Sequence, residues 1–168
     1  MKTLEQRPEN ATKPVQAPPP PPNMKAVNPF VRLLLRSPLH RMLSGALLLL
    51  TFTGRKSGKR YTIPVEYSRS GDIVTVFTDH TWWKNLRGGA PVAVEIKRQR
   101  FEGVAEAIRD DLPVVSAALR AHLLEHPGAA RAYHIPLDAN GQPDPDALQQ
   151  VAQSTTLVRI QLAPPTAA

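Results

Sequence analysis

Between Gly45 and Ile108 the sequence falls into short apolar or alternating runs separated by compact turns. Successive side chains of a strand point to opposite faces, so this pattern commits the region to antiparallel hairpins rather than helices. Ala46–Thr53 is an apolar run ending in β-branched and aromatic residues, consistent with a strand buried on both faces. Gly54–Lys59 is a turn, and Tyr61–Tyr67 is the returning strand of a hairpin. Ser70, Gly71 and Asp72 make the next turn, before a third strand over Ile73–Thr78. Val92, Val94 and Ile96 alternate with Ala93, Glu95 and Lys97, as in a half-buried strand. Arg98 and Gln99 turn the chain into Arg100–Ile108, where Gly103 suggests a bulge.

The period changes after Ile108. Leu112–Glu125 reads as a helix, with Pro113 in its first turn and Val114, Val115, Ala118, Leu119 and Leu123 along one side. A loop rich in Asn, Gly and Pro then leads to a short helix over Ala147–Ala152. Thr156, Val158, Ile160 and Leu162 alternate with polar partners as a last strand. At the other end, Asn28 and Pro29 have the capping chemistry of a helix start. Phe30, Leu33, Leu34, Met42 and Leu43 give that helix an apolar stripe, while Arg32, Arg36 and His40 mark another face. Before it, residues 1–27 form a Pro-rich tail with Pro18 to Pro22 in succession, expected to be disordered, as are residues 164–168. Residues 28–163 thus read as one α+β domain: about six antiparallel strands in a barrel, with an N-terminal amphipathic helix and two or three peripheral helices.

The charge is unevenly spread. The net charge is +7, and between Glu9 and Glu66 there are nine Lys or Arg residues and no Asp or Glu. Such a block attracts phosphate, nucleic acid or anionic lipid, unless it is merely a solvated face. There is no cysteine, which excludes disulfides, thiolate catalysis and Cys-based metal centres. No signal peptide is evident, and no apolar run approaches the ~20 residues of a membrane span.

Four of the basic residues fall in Gly54-Arg55-Lys56-Ser57-Gly58-Lys59-Arg60. Two glycines allow a tight turn whose N–H groups can line an anion-binding concavity, and Ser57 adds a hydroxyl donor. A basic but functionless hairpin tip has the same composition. The segment is not a nucleotide P-loop, because three residues rather than four separate its glycines and Arg60 follows Lys59. Both tryptophans, Trp82 and Trp83, lie side by side after the third strand. Adjacent positions point apart, so one can enter the core while the other offers a stacking surface or a lid. His122-Leu123-Leu124-Glu125-His126 matches an inverted zinc-protease pattern but lacks a third ligand, so no metal is expected and the segment reads as helix surface. No residue stands out as catalytic.

Leu50-Thr51-Phe52-Thr53-Gly54-Arg55-Lys56-Ser57-Gly58, then Ile63-Pro64-Val65, a Gly71-Asp72 turn and Trp82-x-x-Asn85-Leu86 before Pro91 resemble the deazaflavin-dependent nitroreductase and quinone reductase family. The resemblance runs from about Asn28 to Leu162. It implies a split β-barrel that carries reduced deazaflavin (coenzyme F420) and transfers a hydride to a quinone, nitro compound or other conjugated acceptor. It further implies that Arg55, Lys56, Ser57, Gly58 and Arg60 hold the cofactor's phosphate and acidic tail. Pro64, Thr78, Trp82, Trp83 and Asn85 would surround its ring system, with His126 and Tyr133 nearest the acceptor. Related barrels bind FMN, FAD, haem or lipid, so a non-catalytic binding barrel is the alternative. The expected partners are cofactor and acceptor, not nucleic acid. The expected setting is the cytoplasm, as monomer or homodimer, with peripheral contact at the inner membrane face open to the basic helix.

Overall fold

A computed structural model describes residues 47–164. The predicted tail over 1–27, the helix from Asn28 to Leu43 with its membrane contact, and residues 165–168 lie outside the described residues. In chain order the elements are β1 (Leu47–Thr53), β2 (Arg60–Glu66), β3 (Ser68–Ser70), β4 (Ile73–Thr78), a 3-10 helix (Thr81–Leu86), β5 (Ala90–Ile96) and β6 (Gln99–Ile108). They continue with α1 (Leu112–Glu125), a second 3-10 helix (Pro127–Arg131), α2 (Pro145–Ser154) and β7 (Thr156–Leu162).

All seven strands join one antiparallel sheet in the order β2-β1-β5-β6-β7-β4-β3. The sheet curls until β2 comes back against β4, giving the split-barrel architecture of an α+β domain. Its interior holds Leu48, Leu50, Val74, Val76, Val92, Val94, Ala105, Val158 and Ile160, all essentially without solvent exposure. Outside, α1 and α2 pack through Val115, Leu119, Leu123, Leu148 and Ala152 against Phe77 and Leu157. Asp111 and Asp144 cap these two helices by accepting from Val114 N and Ala147 N, and each helix has a proline in its first turn.

Three expectations are corrected. To the about six strands expected, the polar triplet Ser68–Ser70 adds a seventh by pairing with β4, so Ser70 belongs to a strand and not to the turn. The β5–β6 turn is Lys97-Arg98, not Arg98-Gln99, and both residues have positive φ (48° and 68°), the twist a two-residue hairpin requires. Gly103 makes no bulge: it pairs with Val92 on one side and Leu162 on the other without a break in register. It is glycine because a Cβ there would lie 2.5 Å from Gln161 O. Pro64 sits in β2, the strand at one edge of the sheet order, where a missing N–H is tolerated.

Candidate functional site

The turn joining β1 and β2 is built from its own hydrogen bonds. Gly54 N donates to Lys59 O at 2.8 Å, Gly58 N to Gly54 O at 2.8 Å, and Lys59 N to Ser57 Oγ at 3.3 Å. Gly58 takes φ +64°, a conformation glycine adopts without penalty. At Gly54 the constraint is space, since a Cβ would come within 2.7 Å of both Ser57 Oγ and Tyr61 Cε2. The N–H groups of Gly54, Arg55, Gly58 and Lys59 are all committed within the protein, so the expected backbone cradle is largely absent. An anion at this turn must therefore be held mainly by side chains. Arg55, Lys56 and Lys59 are exposed, and among the described residues no carboxylate lies within ion-pair distance of them.

The first 3-10 helix is tied directly to this turn. Arg55 N donates to Asn85 Oδ1 at 3.0 Å, and Asn85 Nδ2 donates to Trp82 O at 2.8 Å. Arg55 Nη1 also reaches Arg87 O at 3.4 Å. Two clusters about thirty residues apart in sequence thus form one surface. Alongside it runs a ladder of rings: Phe52 lies 5.8 Å from Tyr61 and 5.9 Å from Trp82, each pair stacked within 27° of parallel. The adjacent tryptophans do point apart. Trp83 is 5% exposed and belongs to the core, with Arg87 4.8 Å and Arg109 5.7 Å from its ring centroid. Trp82 is only half-buried. Thr78 is buried at the end of β4, where its Oγ1 accepts from His80 N at 3.1 Å.

The remaining predicted residues gather elsewhere. Tyr133 lies 6.5 Å from the rings of Phe77 and His122, and His126 lies 5.1 Å from His122. This cluster feels Glu66, which ends β2 where Arg60 begins it, so nearly the length of that strand separates Glu66 from the basic turn. Burial, then the carboxylates of Glu66 and Asp79, push the Tyr133 phenol up to about 12. His122 is not the surface residue the sequence suggested: it is half-buried against Phe77, and its Nδ1 has no hydrogen-bond partner. Burial, reinforced by His126, lowers its pKa despite the opposing pull of Glu125 and Glu66. A lowered folded-state pKa means that the fold resists protonation of this ring. The resulting stability is present above the ordinary value of 6.5 and is lost as pH falls below it. Replacing His122 by Phe should therefore shrink the fall in Tm between about pH 7.5 and about pH 5, measured by thermal unfolding. An equal fall in both proteins would place the acid sensitivity elsewhere. Among the described residues no group of three or more metal-ligating side chains is assembled.

Residues to which the sequence reading gave no part in the cofactor site are Phe52, Tyr61 and Arg87. The first two follow from strand register, since Phe52 pairs with Tyr61 across the hairpin. Arg87 had no comparable signal.

Residues 30–133 match the sequence model of the F420H(2)-dependent quinone reductase family. No curated protein matches the chain. Solved structures of similar fold include an F420-H2 dependent reductase, 18% identical, covering 68% of this chain and 93% of its own, with a TM-score of 0.43. The haem storage protein HutZ of Vibrio cholerae is 16% identical over 76% of this chain and 90% of its own, with a TM-score of 0.47. An FAD and haem binding protein of Mycobacterium smegmatis is 19% identical over 76% and 66%, with a TM-score of 0.44.

Proposed function

The chain belongs to the F420H(2)-dependent quinone reductase family and is a deazaflavin-dependent oxidoreductase, and from that premise we propose which of its residues serve the reaction. The observation that carries the reading is the pairing of exposed cations, which have no carboxylate partner among the described residues, with a flat aromatic wall on one tied surface. That donor set suits a ligand with an anionic tail and a planar head. Lys56 and Lys59, joined by Arg55 and Arg60, are proposed to hold the phosphate and acidic tail by charge-assisted hydrogen bonds. Ser57 is proposed to contribute a hydroxyl, and Gly58, at φ +64°, lets the chain turn back into β2. Trp82, backed by Phe52, is proposed to receive the ring system, while Trp83 supports the wall from the core. Pro64 in β2 and Thr78 at the end of β4 are proposed to shape this region.

When bound, the reduced deazaflavin supplies the hydride to a quinone, nitro compound or other conjugated acceptor. The protein's share is to orient the two partners and to keep water out. His126 and Tyr133 are proposed to face the acceptor. The phenol of Tyr133 stays protonated across the physiological range, so it can donate a hydrogen bond to an acceptor oxygen but does not act as a base there.

Titration with oxidised deazaflavin, FMN, FAD and haem, followed by quenching of tryptophan fluorescence, tests the cofactor assignment. Saturable binding with clear preference for the deazaflavin is expected. Preference for another of the four would transfer the site to the alternative of a flavin- or haem-binding barrel.

A further inference from the structure

The amide of Asn85 is used at both ends within the protein. Its oxygen accepts the backbone N–H of Arg55 at 3.0 Å, and its nitrogen donates to the backbone carbonyl of Trp82 at 2.8 Å. One side chain thereby joins the basic turn to the residue that presents the stacking ring. Asn85 is half-buried, and its 3-10 helix is anchored by the core residues Trp83 and Leu86. The turn itself is exposed from Arg55 to Lys59, and Arg55 Nη1 adds a long 3.4 Å contact to the carbonyl of Arg87, the C-cap of this helix.

We infer that Asn85 is a positioning residue, a clasp that fixes the basic turn relative to Trp82 so that the tail and the ring of one ligand are gripped together. Both ends of its side chain are engaged within the protein, which leaves one amide N–H and one oxygen lone pair. Two subsites held at a fixed separation bind a linked ligand far better than two that drift, because the second contact then forms at high effective concentration. The clasp stands on the two hydrogen bonds alone, whereas its consequence for cofactor affinity rests on the function proposed above.

Two measurements on the whole protein test it. The first needs no cofactor: the turn carries four basic residues, so trypsin reports how often it leaves its place. Asn85→Ala should speed cleavage within Arg55–Arg60 by about tenfold, the loss expected of one or two net hydrogen bonds, with little change in Tm. Asn85→Asp keeps an oxygen for the Arg55 N–H but loses the donor to Trp82 O, so its rate should lie between those of the wild type and the alanine variant. If the alanine variant fails to fold, the aspartate variant still decides the matter, because cleavage as fast as in a generally destabilised control would overturn the clasp. The second is a double-mutant cycle on the deazaflavin Kd. Lys56→Ala should cost markedly less affinity in the Asn85→Ala background than in the wild type, since the turn is then already misplaced. Losses that simply multiply, together with unchanged proteolysis, would make Asn85 an independent ligand contact and sink the inference. Faster proteolysis in a protein that binds no deazaflavin would uphold the clasp and refute the proposed function.

Discussion

A protein carrying Lys56→Ala and Lys59→Ala together should bind the deazaflavin about 10- to 100-fold more weakly while unfolding at the wild-type temperature. Both ammonium groups are exposed, and among the described residues neither has a carboxylate partner, so their removal takes away no ion pair of the fold. Surface substitutions of that kind change stability by about 0.5 kcal/mol or less. Binding is another matter. Because the N–H groups of Gly54, Arg55, Gly58 and Lys59 are hydrogen-bonded within the protein, only those of Lys56 and Ser57 in residues 54–59 are left to replace the lost cations. A hydrogen bond to a charged group contributes roughly 1.5–3 kcal/mol when well sheltered, and water screens part of that at an open turn. The defect should narrow as salt is raised, because screening weakens the wild-type contacts too. Affinity unchanged in the folded double variant would remove the turn from the binding site. The double change is a cleaner test than Arg55→Ala, which also breaks the contact to Arg87 O.

The barrel was legible because most of its strands alternate with a period of two and several of its turns carry glycine where φ is positive. The hairpin around Gly58 and the turn at Gly71 follow from local chemistry alone. What escaped the sequence was decided between distant segments. Ser68–Ser70 has no apolar pattern and is a strand only because β4 lies beside it. Lys97-Arg98 lacks the glycine that announces a two-residue turn, yet pairing of Ile96 with Gln99 imposes one. For the candidate site, composition singled out the basic turn and the tryptophans. It could not show that the turn spends its N–H groups on itself, nor that Asn85 joins the two clusters. Likewise the spacing of His122 and His126 placed both on one helical face without revealing that Phe77 packs against that face. Local signals fix where the chain turns; which groups remain free for a ligand depends on partners thirty or more residues away.

Gly103→Ala should be among the most destabilising single-carbon additions this domain can receive. Read locally, the change ought to help, since glycine inside a strand carries an entropic penalty of about 0.5–1 kcal/mol relative to alanine. The tertiary setting reverses the sign. The new Cβ would stand 2.5 Å from Gln161 O, 3.2 Å from Leu162 Cα and 3.3 Å from Gln161 C, all backbone atoms of β7 rather than the end of a flexible side chain. Relief requires the end of β7 to move away from β6. That strains the pairs Gly103 with Leu162 and Val104 with Gln161, and the bond from Ala163 N to Glu102 O. It also shifts Leu162 and Ile160, which are 2% and 0% exposed in the barrel interior. Overpacking of this kind costs typically 1–3 kcal/mol, and the backbone location points to the upper part of that range. In a domain of this size the Tm should fall by roughly 10 °C. Gly128→Ala is the matched control, because nothing lies within 4 Å of its added Cβ, and it should stay within about 0.5 kcal/mol of wild type. If Gly103→Ala proved as stable as that control, β7 would have to be freer to move than its place between β6 and β4 allows.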